Sequence, residues 1–523
     1  MNMRVKAVKG KGSTRRNWLV AGLVVVALVV AGGVVADRFL KSKKHPGVFH
    51  MVGQLLRNYP KSWNVDAPHV SLELSEKNYA RILAVVDSAR IRGVILSEGN
   101  SYVKGKLTDA KGTYKVKLRI KGKMTDHVSG NKWSFRVIFK DAGTFMGMRR
   151  FSLQHPGTRG YLTDWLSHRM MRGEGLVAVR FGYCTLDLNG EDLGVYNYEE
   201  HFGQELLDHN TRPRGPILRF DPKEFWQKRL AWMRKETVEP GLGSYQTATI
   251  DAFDTKEIMA DSVRSAQLDT AVARIERFRS GSLPAHAVFN ADLIARHLAH
   301  NDLVGGFRSL DWSDVKLYYN PTSGLVEPIS YESFSGFPTE ELAGAHRLTG
   351  PFKVSDELHT QWLKDSTLFQ LYIHHLERFA RTEYLDSTFV ALASAMDSAS
   401  AILYAEFPWK ELDKAVYYRN QETIRILLKE GAQLEAGWST TGQGVQLRLT
   451  AKGSLPLVVE SLTTSDGKAL VFDGPVLLYA ATPKGSTRPV DRAVPGVQDL
   501  DGAVLEYRIP GSSLLRKMKL AGS

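Results

Sequence analysis

The stretch TLDLNGEDLGVYNYEEHF, residues 185–202, decides the class of fold. Polar and apolar side chains alternate from Thr185 to Leu188, and the alternation resumes from Leu193 to Tyr198. Between them stands Asn189-Gly190, the dipeptide that most readily supplies two positive-φ positions and so closes a tight antiparallel hairpin. The approach to that turn, Val177–Leu188, reads as strand along its whole length. Alternation of this kind marks a sheet with one face on a core, unlike the continuous apolar strands of a doubly wound parallel sheet.

Working outward, further strands are predicted at His69–Glu73, at Val103–Thr108 and Tyr114–Ile120 around the turn 109–112, and at Trp133–Phe139. Another pair, Val315–Tyr319 and Leu325–Ile329, flanks the turn 320–324. Apolar residues at helical spacing predict helices over Glu76–Ala89, Leu162–Arg172 and Ala291–Leu303. Residues 222–285 are charged and mainly helical, and residues 355–430 carry Leu, Ile, Phe and Ala at 3.6 spacing. Strands and helices do not alternate as βαβ units, so the body reads as α+β. From Gly437 the texture changes to short β segments between Gly, Pro, Asp and Ser turns, which predicts a C-terminal β-sandwich over residues 437–523.

The N-terminal part has a different physical character. Trp18–Ala36, WLVAGLVVVALVVAGGVVA, contains no charged or strongly polar side chain. At helical rise it spans roughly 28 Å, near the thickness of a bilayer's hydrocarbon core. Arg4, Lys6, Lys9, Lys11, Arg15 and Arg16 precede it; Arg38, Lys41, Lys43 and Lys44 follow, with Asp37 among them. The bias favours a transmembrane helix with residues 1–17 as a basic cytoplasmic tail. A cleaved signal peptide ending at Val34-Val35-Ala36 is the alternative, but the apolar run exceeds the usual signal core. Residues 37–65 then form a stalk, residues 66–436 the main domain, and the body lies outside the cytoplasm.

Charge and cysteine narrow the function. The formal charge is +13, yet residues 1–44 hold ten Lys or Arg against one Asp, leaving only +4 for the rest. The basicity therefore serves topology and attraction to anionic lipid, and no nucleic-acid partner is expected. Cys184 is the single cysteine, so no disulfide within the chain and no cysteine zinc site can form. P-loop, GxSxG, HExxH and CxxC motifs are absent, as are the standard protein-kinase signatures. His297 and His300 share a helix face, a spacing that more often yields core histidines than a metal site.

Four ordered blocks carry a resemblance. They are residues 114–140 (YKVKLRIKGKMTDHVSGNKWSFRVIFK), 146–175 (MGMRRFSLQHPGTRGYLTDWLSHRMMRGEG), the hairpin 185–202, and 308–336 (RSLDWSDVKLYYNPTSGLVEPISYESFSG). In this order they resemble the CotH kinase family over about residues 66–340. That resemblance implies an atypical protein-kinase-like fold and transfer of the γ-phosphoryl of ATP with Mg²⁺. Residue by residue it implies Lys132 as the phosphate-facing lysine, with Glu200, the hairpin glutamate, as its partner. Asp314 falls where the family has a metal-binding asparagine, and Glu332 where it has a metal-binding aspartate. Asp302 and Asp311 are the candidates for the acceptor-side catalytic aspartate. Glu332 departs by one methylene, which matters because Mg²⁺ demands near-ideal octahedral geometry.

Arg149, Arg150 and Arg159 are candidates to receive phosphate; the plain alternatives are that these arginines beside a turn are solvated, that Lys132 and Glu200 form a structural ion pair, and that Asp311 and Asp314 cap a turn. Two functions follow: a membrane-anchored kinase acting on a protein or envelope-polymer hydroxyl, or a catalytically inactive scaffold of the same fold in envelope assembly. Scarcity of ATP outside the cytoplasm favours the second. The orientation is directly testable. Alkaline phosphatase fused after Ser523 should be active and a cytoplasmic reporter fused there silent; the reverse pattern overturns it.

Overall fold

The computed structural model describes residues 12–42, 47–96, 101–238, 244–306, 308–345, 356–470, 472 and 474–521. Residues 1–11 of the basic tail, 43–46 of the stalk, 239–243 of the charged stretch and 355 of the helical stretch lie outside them. Two compact units divide the chain: residues 1–66 with 400–411, and residues 67–399 with 412–523.

In the first unit, the helix Gly12–Ser42 is long and apolar enough over Val20–Ser42 to cross a membrane. A second helix, Val48–Asn58, follows it.

The second unit opens with β1 (His69–Glu73), β2 (Val103–Asp109), β3 (Gly112–Ile120), β4 (Phe135–Phe139) and β5 (Arg150–Gln154). After the short β6 (Val177–Ala178) come β7 (Phe181–Leu188) and β8 (Glu191–Glu200). These strands, β6 excepted, close a barrel in the order β1-β2-β3-β4-β5-β8-β7, and β7 returns to pair in parallel with β1. Local chemistry sets the turns. Asp109 Oδ1 accepts from the backbone N–H of Lys111 (2.9 Å) and Gly112 (3.2 Å), fixing the β2–β3 corner. Asn189 (φ +51) and Gly190 (φ +84) take the left-handed conformations the hairpin requires. The Asn189 side chain also accepts from the Leu74 N–H at 2.7 Å, tying the hairpin to the end of β1. Alternate residues fill the interior, among them Val116, Leu118, Phe135, Val137, Phe151 and Leu153.

The other face of the barrel wall is polar and also buried. Strand register sets Arg119 beside Arg136, Arg136 beside Ser152 and Ser152 beside Glu199. A second sheet runs β10 (Ile250–Ala252), β9 (Ile217–Phe220), β11 (Lys316–Asn320), β12 (Leu325–Ser330), β6. The helix Ala291–Val304 is buried along most of its length and packs against Ser366–Phe379 and Lys414–Glu430. It ends at Gly305 (φ +60), where a Cβ would stand 1.8 Å from the Phe337 carbonyl oxygen. The expected α+β class, the hairpins and the main helices are all present, with ends shifted by a few residues. The strand β5 and the closure of the barrel were not expected.

The C-terminal strands begin at Leu434, three residues before the expected boundary, and form two small sheets. Their inward residues include Val445, Leu447, Leu457, Val459 and Leu505. Helical segments touch this region at few points. Glu377 accepts from Ser513 N and Oγ (2.9 and 2.8 Å) and from Ser512 Oγ. Gly511 (φ +88) rests on the Gln370 backbone, so an added Cβ would lie 2.2 Å from Gln370 O. Gly511→Ala should therefore undock the β region. We expect faster tryptic cleavage between Lys429 and Lys452, with the far-ultraviolet circular dichroism of the remainder retained. Global loss of that signal would show that residues 434–523 are not separable.

Candidate functional site

The polar barrel face ends at a chain of buried ions. Lys121 leaves β3 and turns at Gly122 (φ +104), where a Cβ would meet the His127 ring at 2.0 Å. Lys121 N donates to Ser134 O and Ser134 N to His127 O, both at 2.8 Å, so the β3–β4 loop folds back on itself. The Lys121 ammonium then reaches Glu199 Oε1 on β8 at 2.7 Å. Glu199 Oε2 accepts from Arg159 Nε (2.7 Å) and Gln154 Nε2 (3.2 Å). Arg159, in the single turn Pro156–Arg159 after β5, passes its other arm to Glu332 Oε1 at 2.5 Å. Arg308 lies 3.8 Å from Glu332 Oε2 and ends the chain.

Lys121, Arg159 and Glu199 are buried, with 6, 2 and 1 % exposure. Burial of that degree costs several kcal/mol per ion unless partners offset it. Glu199 is held well below the usual carboxylate range: burial opposes its ionisation, but Arg159 and Lys121 outweigh burial. Glu332 is likewise resisted by burial and drawn down to about 2 by Arg159 and Lys121. Burial, only partly offset by Glu199, pulls the Lys121 ammonium down to about 7. Around the chain, Arg136 Nε and Nη1, Gln154 Oε1 and both Asn197 amide atoms are buried with no hydrogen-bond partner, and Asp164 Oδ2 has only the Arg159 guanidinium at 3.9 Å. Each such group costs about 1–3 kcal/mol. A gathering of them is poor architecture for stability and is common in functional sites.

Asp314 and Glu332 are the two expected site residues that come together. The Asp314 carboxyl is raised to about 7, by its sheltered position first and then by the Glu332 carboxylate. Beside it, Lys316 Nζ donates to the backbone carbonyls of Ser313, Asp314 and Val315. Asp311 Oδ1 accepts from Ser313 N (2.9 Å) and Oγ (2.8 Å), holding the turn that presents Asp314.

The other expectations are redistributed. Lys132 and Glu200 are not paired. Lys132 Nζ donates to Val195 O at 3.1 Å and lies over the Tyr196 ring, while Glu200 binds the side chain and backbone N–H of Arg180. Successive strand residues point to opposite faces, so Glu199, not Glu200, meets a lysine, and that lysine is Lys121. Arg159 was expected to be solvated and is instead buried at the centre. Arg150 binds Asp254 rather than water alone. Asp302 stands apart from the ion chain: Tyr372 Oη donates to it at 2.5 Å and Ala343 N at 2.9 Å. His297 and His300 have different partners, Ser309 O and Ser167 Oγ, and no metal-ready group of three His, Cys, Asp or Glu occurs among the described residues.

Residues 118–283 match the family model described as CotH kinase protein. The chain carries a CotH kinase family domain. The matched stretch contains Lys121, Arg159 and Glu199; Asp302, Asp311, Asp314 and Glu332 lie beyond it. No curated protein matches the chain. Lys121 and Glu199 escaped sequence reasoning although both lie inside the quoted CotH-like blocks. The Pro-Gly-Thr-Arg turn was the available signal for Arg159.

Asp302, outside the matched stretch, offers a test of its structural role. Its carboxyl is pushed up to about 7 by burial, which its two hydrogen bonds only partly offset. The folded state therefore holds a proton that the unfolded state has released between about pH 4 and 7, and the penalty for Asp302 grows as pH rises through that window. Asp302→Asn should gain on the wild type from about pH 5 to pH 8, on the order of 2 kcal/mol at the thermal midpoint. A difference that stays flat with pH would refute it.

Proposed function

We propose that this chain is a membrane-anchored CotH-family kinase that moves a phosphoryl group from ATP to a hydroxyl of a protein or envelope polymer. One observation carries the reading. Two buried guanidiniums, Arg136 and Arg159, and two buried amines, Lys121 and Lys316, whose protonated forms burial disfavours and a bound polyanion would restore, surround two carboxylates that stay ionised, Glu199 and Glu332. The excess positive charge of the protonated set suits a polyphosphate. Phosphoryl transfer needs little more from a protein than this kind of positioning and charge stabilisation.

Lys121, oriented by Glu199, would bind the phosphates, and Arg159 would meet charge developing on the transferred group. Asp314 and Glu332 would hold a magnesium ion, whose chemistry would be to neutralise charge on the phosphates. The residues present fit it: among the described residues the Asp314 carboxylate accepts no hydrogen bond, and it repels its neighbour Glu332. Two carboxylates plus substrate oxygens are what such ions usually take. Asp311 keeps Oδ2 outside the Ser313 turn and would receive the acceptor's proton. The apolar helix supports the anchor, and the basic residues before it favour a body outside the cytoplasm.

One feature favours the inactive scaffold instead. Arg159 and Arg308 already neutralise Glu332, taking the place of a metal. The two readings part on nucleotide binding. Mg-ATP at 100 times its Kd should stabilise a kinase by about 2.7 kcal/mol. Lys121→Met should then lower transfer of labelled phosphate by about 10²-fold or more, while Lys132→Met changes it little. Glu332→Asp tests whether the longer side chain is adapted or merely tolerated. Absence of Mg-ATP binding by calorimetry at millimolar nucleotide would sink the kinase and leave the scaffold.

A further inference from the structure

The helix Val48–Asn58 in the first unit is built inside out. Its buried residues are polar: Gln54 is 8 % exposed and Asn58 is fully covered. Their amide nitrogens find partners there, while Gln54 Oε1 accepts no hydrogen bond. Asn58 Nδ2 donates to Pro408 O (2.9 Å) and Glu411 Oε1 (2.6 Å), and Gln54 Nε2 to Glu411 Oε2 (3.2 Å). The opposite side is apolar and open. Phe49, Val52 and Leu56 follow one another at helical spacing, and Tyr59 and Trp63 extend the stripe beyond the helix. Leu56 is 73 % exposed and Trp63 68 %. A water-facing helix would show the reverse arrangement, and so continuous an exposed stripe marks an interaction surface.

The structure indicates what covers it. Phe49 lies against the transmembrane candidate, its ring 3.5 Å from where a Cβ on Gly33 would be. Gly33 belongs to the apolar run Trp18–Ala36. The Phe49 backbone N–H also donates to Asp37 Oδ1 (3.4 Å), just past the end of that run. The helix therefore begins at the level where the apolar run ends, which is the bilayer interface if the run spans a membrane. Tyr59 and Trp63, with Arg57 and Lys61 beside them, are the residue types that settle at headgroup depth.

We propose that Val48–Asn58 is an interfacial helix whose Phe49–Val52–Leu56 stripe, continued by Tyr59 and Trp63, lies in the lipid surface beside the transmembrane span. This rests on the anchor reading above. The stripe would hold the stalk along the membrane, while Glu411 satisfies the polar side that lipid leaves uncovered.

The sequence offers a clean labelling scheme, because Cys184 is fully buried and unreactive in the fold. Single cysteines at Leu28→Cys, Leu56→Cys and Val238→Cys would carry an environment-sensitive fluorophore in the full chain. The chain is reconstituted into phosphatidylcholine–phosphatidylglycerol vesicles, with and without lipid bearing a doxyl quencher high on the acyl chain. Leu28 tests the anchor, and Val238, at 96 % exposure, reports bulk water. We expect blue-shifted, strongly quenched emission at positions 28 and 56 and neither effect at 238. Quenching at 28 but not at 56 overturns the interfacial helix and leaves the anchor intact. No quenching at 28 overturns the anchor and this inference with it. Self-quenching between labelled copies at 56, without lipid quenching, assigns the stripe to a second copy and also overturns it.

Discussion

Glu199 is the group on which the functional architecture turns. One carboxylate, 1 % exposed, takes an ammonium on one oxygen and a guanidinium and an amide on the other. Removing it would leave Lys121 and Arg159 buried without their main counter-charge, a change that costs about 3–5 kcal/mol in comparable buried pairs. Through Arg159 the same carboxylate joins the barrel to the segment after β12. Three stretches distant in sequence, at residues 121, 159 and 332, are thereby held in one electrostatic unit.

The turn after β12 shows how that unit is kept in place. Glu332 (φ +45) and Phe334 (φ +47) both adopt left-handed backbone, which non-glycine residues keep only when their surroundings impose it. The restraint comes from the helix Leu162–Gly173, where Asp164 Oδ1 accepts from Ser333 Oγ and Phe334 N, both at 3.0 Å. Asp164 stands five residues after Arg159, so one short stretch both fixes the turn and binds the glutamate it presents. The strained turn sets Glu332 where Arg159 can reach it, and places it beside Asp314.

What the sequence disclosed follows from the range of each interaction. The Asn189-Gly190 hairpin was legible because its cause lies in two adjacent residues. The apolar run Trp18–Ala36 was legible because length and composition define it. The choice between Glu199 and Glu200 was not, since it depends on which face of β8 is turned to Lys121, and that depends on pairing with β5 and β7. Arg159 looked solvated because nothing near it in sequence covers it; its covering partner, Glu332, is far along the chain. Asp314 and Glu332 were located by family resemblance, and no spacing rule would have joined them. The first C-terminal strand begins at Leu434 rather than Gly437, because Leu434 and Glu435 lack the Gly and Pro texture that marks the rest of that region.

The parallel seam between β1 and β7 has a consequence for the order of assembly. His69 pairs with Thr185, and Leu72 with Leu188, so the first strand stays an open edge until more than a hundred further residues have been made. Contacts this distant slow folding, and an unpaired edge invites the wrong partner meanwhile. A chain threaded across a membrane from its N-terminus would deliver β1 early and its seal late. The pairs β2–β3, β3–β4, β4–β5 and β7–β8 join chain neighbours and can form as they emerge, whereas β5 waits for β8, some forty residues on. The clasp of Asn189 on Leu74 then joins the turn of the last hairpin to the end of the first strand, making barrel closure the step that commits the domain.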